Sequence, residues 1–344
     1  MQLSSQAKTL AVTALDISGI AWLLKPFFGG RGTILCLHRV ITPDTKTLSP
    51  GLAISSAQLE AILKLLRDKK WDVVPLNEVP ERLRARSRGR HFVAVTLDDG
   101  YSDNLHVAVP LFRKYGTPFC VFANSGILDR SAIPWYSIVE QIVQGTEELV
   151  IEHEVKGELH FSCQMHEEKR AALRQLLQLG WSNQPAMRKA VRNYCLKKGA
   201  TVESLINELY LSWDELRTIA EDPLGTVGSH TVSHERLTEL SEVAAYQEMK
   251  VDREKLQNQL GRPIEDIAYP FGSHTECGAR EFALAREIGY LRGVTTERWN
   301  LFPEHLNNLL ALPRVTISMA HSANARFTRV SAYGAWNAAC ALLR

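Results

Sequence analysis

The sequence predicts an α/β fold in which strands and helices alternate around a parallel sheet or barrel. Short apolar, β-branched runs alternate along most of the chain with segments of helical periodicity, which is typical of consecutive βα units. Residues 130–215 depart from this alternation, because they carry mostly helical patterns. We therefore expect a βα array of 344 residues that contains one helical insertion.

The first half of the array contains four predicted strands and two predicted helices. Ser55 and Gln58 have the spacing of a capping box, which marks the start of the first helix. In the second helix Val107 begins an apolar stripe, and Gly116 ends the helix. The predicted strands are residues 32–40, 71–76, 91–97 and 118–124.

The second half repeats the pattern after the insertion. Predicted helices at 239–260 and 277–288 end at Gly261 and Gly289. The predicted strands are residues 225–230, 266–272, 290–296 and 310–317.

The chain divides into a barrel region and two flanking segments. We expect an N-terminal helical segment at 1–30, the βα array at 31–320 and a C-terminal helix at 321–344. The insertion at 130–215, with a short hairpin around 148–162, either shapes substrate binding or is a peripheral packing element.

Composition excludes some classes of function. Hydrophobic residues make up 45% and charged residues 23% of the chain, as in an ordinary globular protein, and the formal net charge of +2 gives no support for a nucleic-acid partner. The six cysteines include no close pair, which suits a reducing compartment and favours a cytoplasmic location.

The apolar segment at 9–28 is interrupted by Asp16, Gly19 and Lys25, so it favours neither a signal peptide nor a spanning helix. It and the C-terminal residues 326–344 either pack on the barrel or contact the inner membrane peripherally. The oligomeric state stays open.

Two polar motifs follow predicted strands. The stretch VTLDDGYSDN places Asp98 and Asp99 side by side at a strand end, where their repulsion needs a cation. The stretch GSHTVSH places His230 and His234 four apart, so that a helical turn would turn both imidazoles the same way. Because the carboxyl ends of parallel strands share one face, the two motifs can meet there.

Two histidines and a carboxylate form the ligand set of catalytic zinc sites. One aspartate would complete this set, and its neighbour would remain close enough to act on a water molecule as a general base.

The motifs TLDDGYSDN, GSHTVSH, AYPFG and ALPRVTI, in that order, resemble those of the polysaccharide deacetylase family, carbohydrate esterase family four. The resemblance covers about residues 32–125 and 213–318. It implies a distorted (β/α) barrel of about seven strands and a divalent metal, most often Zn²⁺ and sometimes Co²⁺ or Mn²⁺. It also implies hydrolytic removal of an acyl group, typically N-acetyl, from an amino sugar.

The resemblance assigns roles to individual residues. Asp98 matches the general base, and Asp99, His230 and His234 match the metal ligands. The wall of the substrate groove is matched by Tyr269, Pro270, Phe271 and Gly272. Leu312 matches the leucine that lines the pocket for the acetyl methyl.

Two positions depart from the family pattern. Ala268 stands where many members have an arginine that orients the base, and Arg314 stands where many have the histidine that protonates the leaving amine. His38 and His274 are the candidates for the missing acid. Arg314, which cannot act as an acid near neutral pH, could instead hold an anionic part of the substrate.

Aromatic residues of the insertion could stack on sugars, and Trp135 with Tyr136 is the best candidate for such a platform. Together these features predict a metal-dependent N-deacetylase of a bacterial surface polysaccharide or a lipid-linked glycan precursor. A catalytically weak carbohydrate-binding or assembly protein and a deformylase of a lipid-linked amino sugar are the alternatives.

Overall fold

A computed structural model describes residues 30–85 and 89–319. The predicted N-terminal helical segment, apart from residue 30, and the predicted C-terminal helix lie outside the described residues. Within the described ranges, no helix combines the length and the apolar character that crossing a membrane requires.

The central element is an eight-stranded sheet in which every pairing of named strands is parallel. Its strand order is β11-β10-β9-β6-β5-β1-β12, and β4 also pairs with β5. The strands are β1 Gly32–Leu37, β4 Asp72–Val73, β5 Phe92–Leu97, β6 Phe119–Ala123, β9 Gly225–Ser229, β10 Asp266–Ala268, β11 Arg292–Val294 and β12 Val315–Thr316. Two smaller sheets pair β2 Arg39–Ile41 with β3 Ala53–Ser55, and β7 Glu148–His153 with β8 Gly157–Ser162.

The two ends of this sheet approach each other. Leu312, just before β12, forms a parallel bridge with Val294 of β11, and the Thr295 amide donates to the Leu312 carbonyl at 2.8 Å. The sheet therefore curls into the distorted (β/α) barrel that the sequence predicted. It has eight strands rather than about seven, because the two-residue β4 adds to the side of β5.

Helices cover the outside of the barrel and build the insertion. Their bounds are α1 Ser56–Asp68, α2 Val79–Arg84, α3 Val109–Tyr115, α4 Ser125–Leu128, α5 Trp135–Gln144, α6 His166–Ser182, α7 Gln184–Lys197, α8 Val202–Leu209, α9 Trp213–Glu221, α10 Glu242–Leu260 and α11 Ala279–Ile288. The predicted capping box is present, since Ser55 accepts from the Gln58 amide and Gln58 accepts from the Ser55 amide. Gly116, Gly261 and Gly289 end their helices in the left-handed conformation.

The insertion has its own apolar core. Helices α5 to α8 pack together with the β7–β8 hairpin, and their buried side chains form a cluster separate from the two clusters of the barrel. An ion pair between Arg188 of α7 and Glu235 joins the insertion to the loop that carries the GSHTVSH motif. The helical insertion is thus fixed beside the end of the barrel where the motifs lie.

Candidate metal centre and catalytic site

The two polar motifs occupy strand ends on the same side of the sheet, one strand apart. Asp98 and Asp99 directly follow β5, and His230 directly follows β9, with β6 between these strands. Their side chains meet because all three strands run parallel and open on one face of the barrel. The side chains of Asp99 and His230 are only 4% and 2% exposed, so the structure holds this cluster largely out of water.

The donor atoms of Asp99, His230 and His234 lie within 4.8 Å of one another. The Nε2 atoms of both histidines are 3.3 Å from Oδ1 of Asp99. The Nδ1 atom of His230 lies 2.8 Å from the Ala268 carbonyl, which can only accept, so Nδ1 carries the proton of that bond. This hydrogen bond fixes the ring with Nε2 turned towards the carboxylate, as an outer partner of a metal ligand does.

The backbone of the GSHTVSH motif is irregular, and the predicted helical turn was wrong. Thr231 has φ 65° and His234 has φ 58°, both in the left-handed region that non-glycine residues rarely adopt. Asp99 has φ 74°. The loop is held by Glu248, whose carboxylate accepts from the Ser233 amide at 2.9 Å and the Ser233 hydroxyl at 2.8 Å. Strain of this kind concentrates at functional sites.

A buried carboxylate of α10 supports the strand end from behind. Asp252 accepts from the Ser229 hydroxyl at 2.6 Å, the His230 amide at 3.1 Å and the Ser125 amide at 2.7 Å. Burial raises the pKa of this carboxyl to about 7. Asp252 therefore fixes the backbone from which the His230 ring projects.

The residues fit a divalent cation. Oδ1 of Asp99 and Nδ1 of His234 are buried and have no hydrogen-bond partner among the described residues. Burial by itself would raise the pKa of Asp99, but the two imidazoles hold it well below its usual range, so the carboxylate is an anion. One carboxylate and two imidazoles are a donor set that suits zinc, and similar sets bind other transition metals.

Arg314 forms a bidentate pair with Asp98 in the interior of the barrel. Nη1 donates to Oδ1 at 2.7 Å and Nη2 donates to Oδ2 at 2.6 Å. The guanidinium also donates to the Thr295 carbonyl at 2.9 Å and the Thr96 hydroxyl at 3.0 Å. The prediction that Arg314 holds an anionic part of the substrate was wrong, because its side chain is 0% exposed and already bound to Asp98.

This pair decides the ionisation of Asp98. Burial would raise the pKa of the carboxyl, but the charge and hydrogen bonds of Arg314 outweigh it, and the pKa lies below its usual range. Asp98 is therefore ionised near neutral pH, as a general base must be. The resemblance places an arginine at the position of Ala268. In this chain the arginine that contacts Asp98 is instead Arg314, which directly precedes β12.

The structure separates the two candidates for the acid. His38 follows β1, and one of its ring nitrogens lies within 4.8 Å of a carboxylate oxygen of Asp98 and the sulfur of Cys36. Its Nδ1 is buried without a hydrogen-bond partner among the described residues. The side chain of His274 is 83% exposed and pairs with Glu297 at 3.2 Å. Only His38 is thus brought beside the predicted base.

Of the AYPFG wall motif, Phe271 is the residue whose ring borders His234, one of the predicted metal ligands. Its ring centroid is 4.8 Å from that of His234. Tyr269 is 0% exposed and donates its hydroxyl to the Leu310 carbonyl at 2.9 Å, so its predicted place in the groove wall was wrong. Pro270 and Gly272 are buried, and Leu312 is 0% exposed within the barrel, where its acetyl-pocket role stays a prediction.

The predicted sugar platform at Trp135 was also wrong. Trp135 is 1% exposed, and its indole nitrogen donates to Gln184 at 3.1 Å in the core of the insertion. Its neighbour Tyr136 borders the site instead, with its ring centroid 5.5 Å from that of His234. Trp181 of α6, another aromatic residue of the insertion that was not preferred for the platform, packs on Tyr136 and has its ring centroid 5.3 Å from that of Phe271.

Comparison with known proteins identifies a family. Residues 85–290, more than half of the chain, match the family model described as Polysaccharide deacetylase. No curated protein matches the sequence significantly.

Solved structures show the same fold at low sequence identity. The deacetylase PplD of Streptococcus pyogenes, in complex with acetate, is 18% identical with a TM-score of 0.52, over 83% of this chain and 92% of that one. IcaB from Ammonifex degensii is 17% identical with a TM-score of 0.53, over 89% and 96%. A de-N-acetylase from Aggregatibacter actinomycetemcomitans is 14% identical with a TM-score of 0.53, over 84% and 95%.

Proposed function

This chain belongs to the polysaccharide deacetylase family, and we propose that it hydrolyses the N-acetyl group of an amino sugar in a bacterial surface polysaccharide or its lipid-linked precursor. The observation that carries the proposal is the buried Asp99–His230–His234 cluster beside an Asp98 carboxylate that Arg314 keeps ionised. A family member that only bound glycans would not need a base held in this way.

The proposed division of roles follows from the contacts. Asp99, His230 and His234 would hold a divalent cation, preferably Zn²⁺ with Co²⁺ or Mn²⁺ as alternatives, which when bound polarises an acyl oxygen as a Lewis acid. Asp98 accepts the proton of the attacking water, because both of its oxygens are oriented by Arg314.

The proton must end on the leaving amine. Water adds its oxygen to the acyl carbon, the carbon–nitrogen bond breaks, and the products are acetate and a free amine. His38 lies close to the Asp98 carboxylate, and we assign to it the transfer of that proton to the amine. The rings of Phe271 and Tyr136 form an apolar border beside His234 against which the sugar can pack.

The experiment is to measure acetate release from N-acetylhexosamine oligosaccharides, before and after removal of the cation with a chelator. The proposal predicts turnover that chelation abolishes, that added Zn²⁺ restores and that Asp98→Asn lacks. Formate release from an N-formyl sugar, with none of acetate, would favour the deformylase. Glycan binding that survives chelation, with no turnover, would favour a binding or assembly protein.

A cytoplasmic location, with peripheral contact at the inner membrane, is part of the proposal. The five cysteines among the described residues are unpaired and buried, which suits a reducing compartment. Cell fractionation with salt and detergent washes tests it, because a peripheral protein leaves the membrane in high salt.

A further inference from the structure

Cys36 of β1 is a buried thiol in contact with the predicted base. Its side chain is 0% exposed, and its sulfur donates to Oδ2 of Asp98 at 3.6 Å. Because β1 and β5 pair in parallel, with Leu37 opposite Leu97, the residues beside that pair meet at the same end of the barrel. The proposed deacetylation gives this thiol no role.

Cys36, His38 and Asp98 form a second set of possible metal ligands, the Cys36 set. The sulfur, one ring nitrogen and one carboxylate oxygen lie within 4.8 Å of one another. The set shares no residue with the cluster of Asp99 and the two motif histidines, the Asp99 cluster. Thiolate, imidazole and carboxylate are the side-chain groups that bind Zn²⁺ in proteins. The chemistry of the Cys36 set therefore suits the same cation.

The separation of two of these atoms suits a bound zinc ion. In tetrahedral coordination, a zinc–sulfur bond of about 2.3 Å and a zinc–oxygen bond of about 2.0 Å place sulfur and oxygen about 3.5 Å apart. The observed 3.6 Å between Cys36 and Asp98 needs little change. Burial raises the pKa of the Cys36 thiol, so the sulfur keeps its proton until a cation displaces that proton into the solvent.

His38 supplies the third donor and gives the cation a point of entry. Its side chain is partly exposed, unlike those of Cys36 and Asp98, so an ion can approach the set at the imidazole. Nδ1 of His38 is buried and has no hydrogen-bond partner among the described residues. Binding through that nitrogen therefore breaks no hydrogen bond.

Arg314 makes the Cys36 set weaker than the Asp99 cluster. Its guanidinium binds both oxygens of Asp98, at 2.7 and 2.6 Å, and its positive charge opposes a cation there. The Asp99 carboxylate faces two imidazoles instead, which are neutral when they bind a metal. The Asp99 cluster therefore binds the first cation. The Cys36 set binds only when zinc is in excess, and dialysis at low free Zn²⁺ leaves it empty.

We propose that Cys36, His38 and Asp98 form a second, weaker zinc site, and that zinc bound there stops turnover. The ion would engage both Asp98, the predicted base, and His38, to which we assign proton transfer. The inhibition rests on the deacetylase function proposed above, whereas the binding itself does not. The consequence is activity that rises with the first equivalent of Zn²⁺ and falls when Zn²⁺ is in excess.

Cobalt tests the binding directly, because a bond between Co²⁺ and a thiolate absorbs in the near ultraviolet. When metal-free wild type is titrated with Co²⁺, this absorption should be absent during the first equivalent and appear with the second. Cys36→Ala and Cys36→Ser should lack it. The matched control is Cys120→Ala, because Cys120 is also buried in a barrel strand and belongs to neither set. Thermal unfolding establishes that each variant folds, and Cys36→Ser serves if Cys36→Ala does not.

Zinc inhibition measures the effect on turnover. Saturation of the second site should lower acetate release by the wild type about 100-fold or more, since positioned proton transfer contributes about 10²–10⁴-fold. Cys36→Ala should need about 10–100-fold more free Zn²⁺ for the same inhibition, because the loss of even an outer partner weakens metal binding by that factor. Cys120→Ala should match the wild type. Equal inhibition of the wild type and Cys36→Ala would overturn the proposal, and so would the absence of thiolate absorption at every Co²⁺ concentration.

The absorption measurement separates this proposal from the deacetylase function. Thiolate absorption at the second equivalent of Co²⁺, without acetate release by the wild type at any Zn²⁺ concentration, would support the second site and contradict the deacetylase function. Acetate release without thiolate absorption would do the reverse.

Discussion

Arg314 binds both carboxylate oxygens of Asp98, at 2.7 and 2.6 Å, although the two residues are 216 positions apart in the chain. Although Ala268 stands at the usual arginine position, this contact orients the carboxylate of the predicted base. We therefore expect Arg314, which departs from the family pattern, to act as a positioning residue for Asp98. The contact also places the positive charge of Arg314 against Asp98, the aspartate that is not part of the Asp99–His230–His234 cluster.

Replacing Arg314 by lysine should lower kcat about 100-fold with little change in KM, since a displaced base costs about this much. The variant keeps the charge but loses the two-point contact that orients the carboxylate. Because burial raises and Arg314 lowers the pKa of Asp98, weakening the pair raises that pKa. The acidic limb of the pH–rate profile should therefore move to higher pH. An unshifted limb with full activity would show that the pair is only structural.

His38 and His274 provide a matched pair of histidine variants. His38→Gln should lower kcat about 100-fold or more, because a positioned proton donor contributes about 10²–10⁴-fold. His274→Gln should be close to wild type, since its side chain is 83% exposed. Steady-state kinetics on the same N-acetylated oligosaccharide measures both. Loss of activity in His274→Gln alone would reverse the assignment.

Gly180→Ala tests the placement of Trp135 in the insertion core. A Cβ at Gly180 would lie 2.3 Å from the Trp135 ring, so we expect the free energy of unfolding to fall by about 1–3 kcal/mol. Gly51→Ala is the control, because a Cβ there meets nothing within 4 Å. Urea unfolding measures both variants. Equal stability of the two would show that Trp135 does not fill that space.

Asp252 predicts a pH dependence of stability in the protein without its cation. The pKa of Asp252 is about 7 in the folded protein and near the ordinary 3.8 in the unfolded chain. Its contribution to the free energy of unfolding is therefore complete below pH 3.8 and is lost as the pH rises through about 7. Asp252→Asn cannot titrate, so the stability of the wild type minus that of the variant should fall between pH 4 and 7. Urea unfolding with chelator measures this difference, and parallel pH profiles would contradict it.

Local sequence pattern was sufficient to place Asp98, Asp99 and His230. Each follows a run of apolar residues that forms a buried parallel strand, and such strands open on one face. The capping box at Ser55 and the glycine helix ends were predictable for the same reason, because they depend on neighbours in the chain.

Features that depend on distant contacts were not predictable. The loop that carries His234 is held by hydrogen bonds from Ser233 to the distant Glu248 rather than by helical hydrogen bonds, so residue spacing predicted the wrong backbone conformation. Trp135 and Tyr136 are neighbours on one helix, and only the packing of α6 decides which ring enters the core. Arg314 meets Asp98 only because the barrel closes and brings these distant parts of the chain together, so the sequence could not predict this pair.

The metal content of two neighbouring variants tests the proposed roles of Asp98 and Asp99 most directly. Wild-type protein, Asp98→Asn and Asp99→Asn are dialysed against Zn²⁺, and bound metal and acetate release are measured for each. We expect Asp98→Asn to keep about one Zn²⁺ per chain without activity, whereas Asp99→Asn should lose both the metal and the activity. Loss of the metal from Asp98→Asn, or full activity in either variant, would contradict the division of roles between the two aspartates.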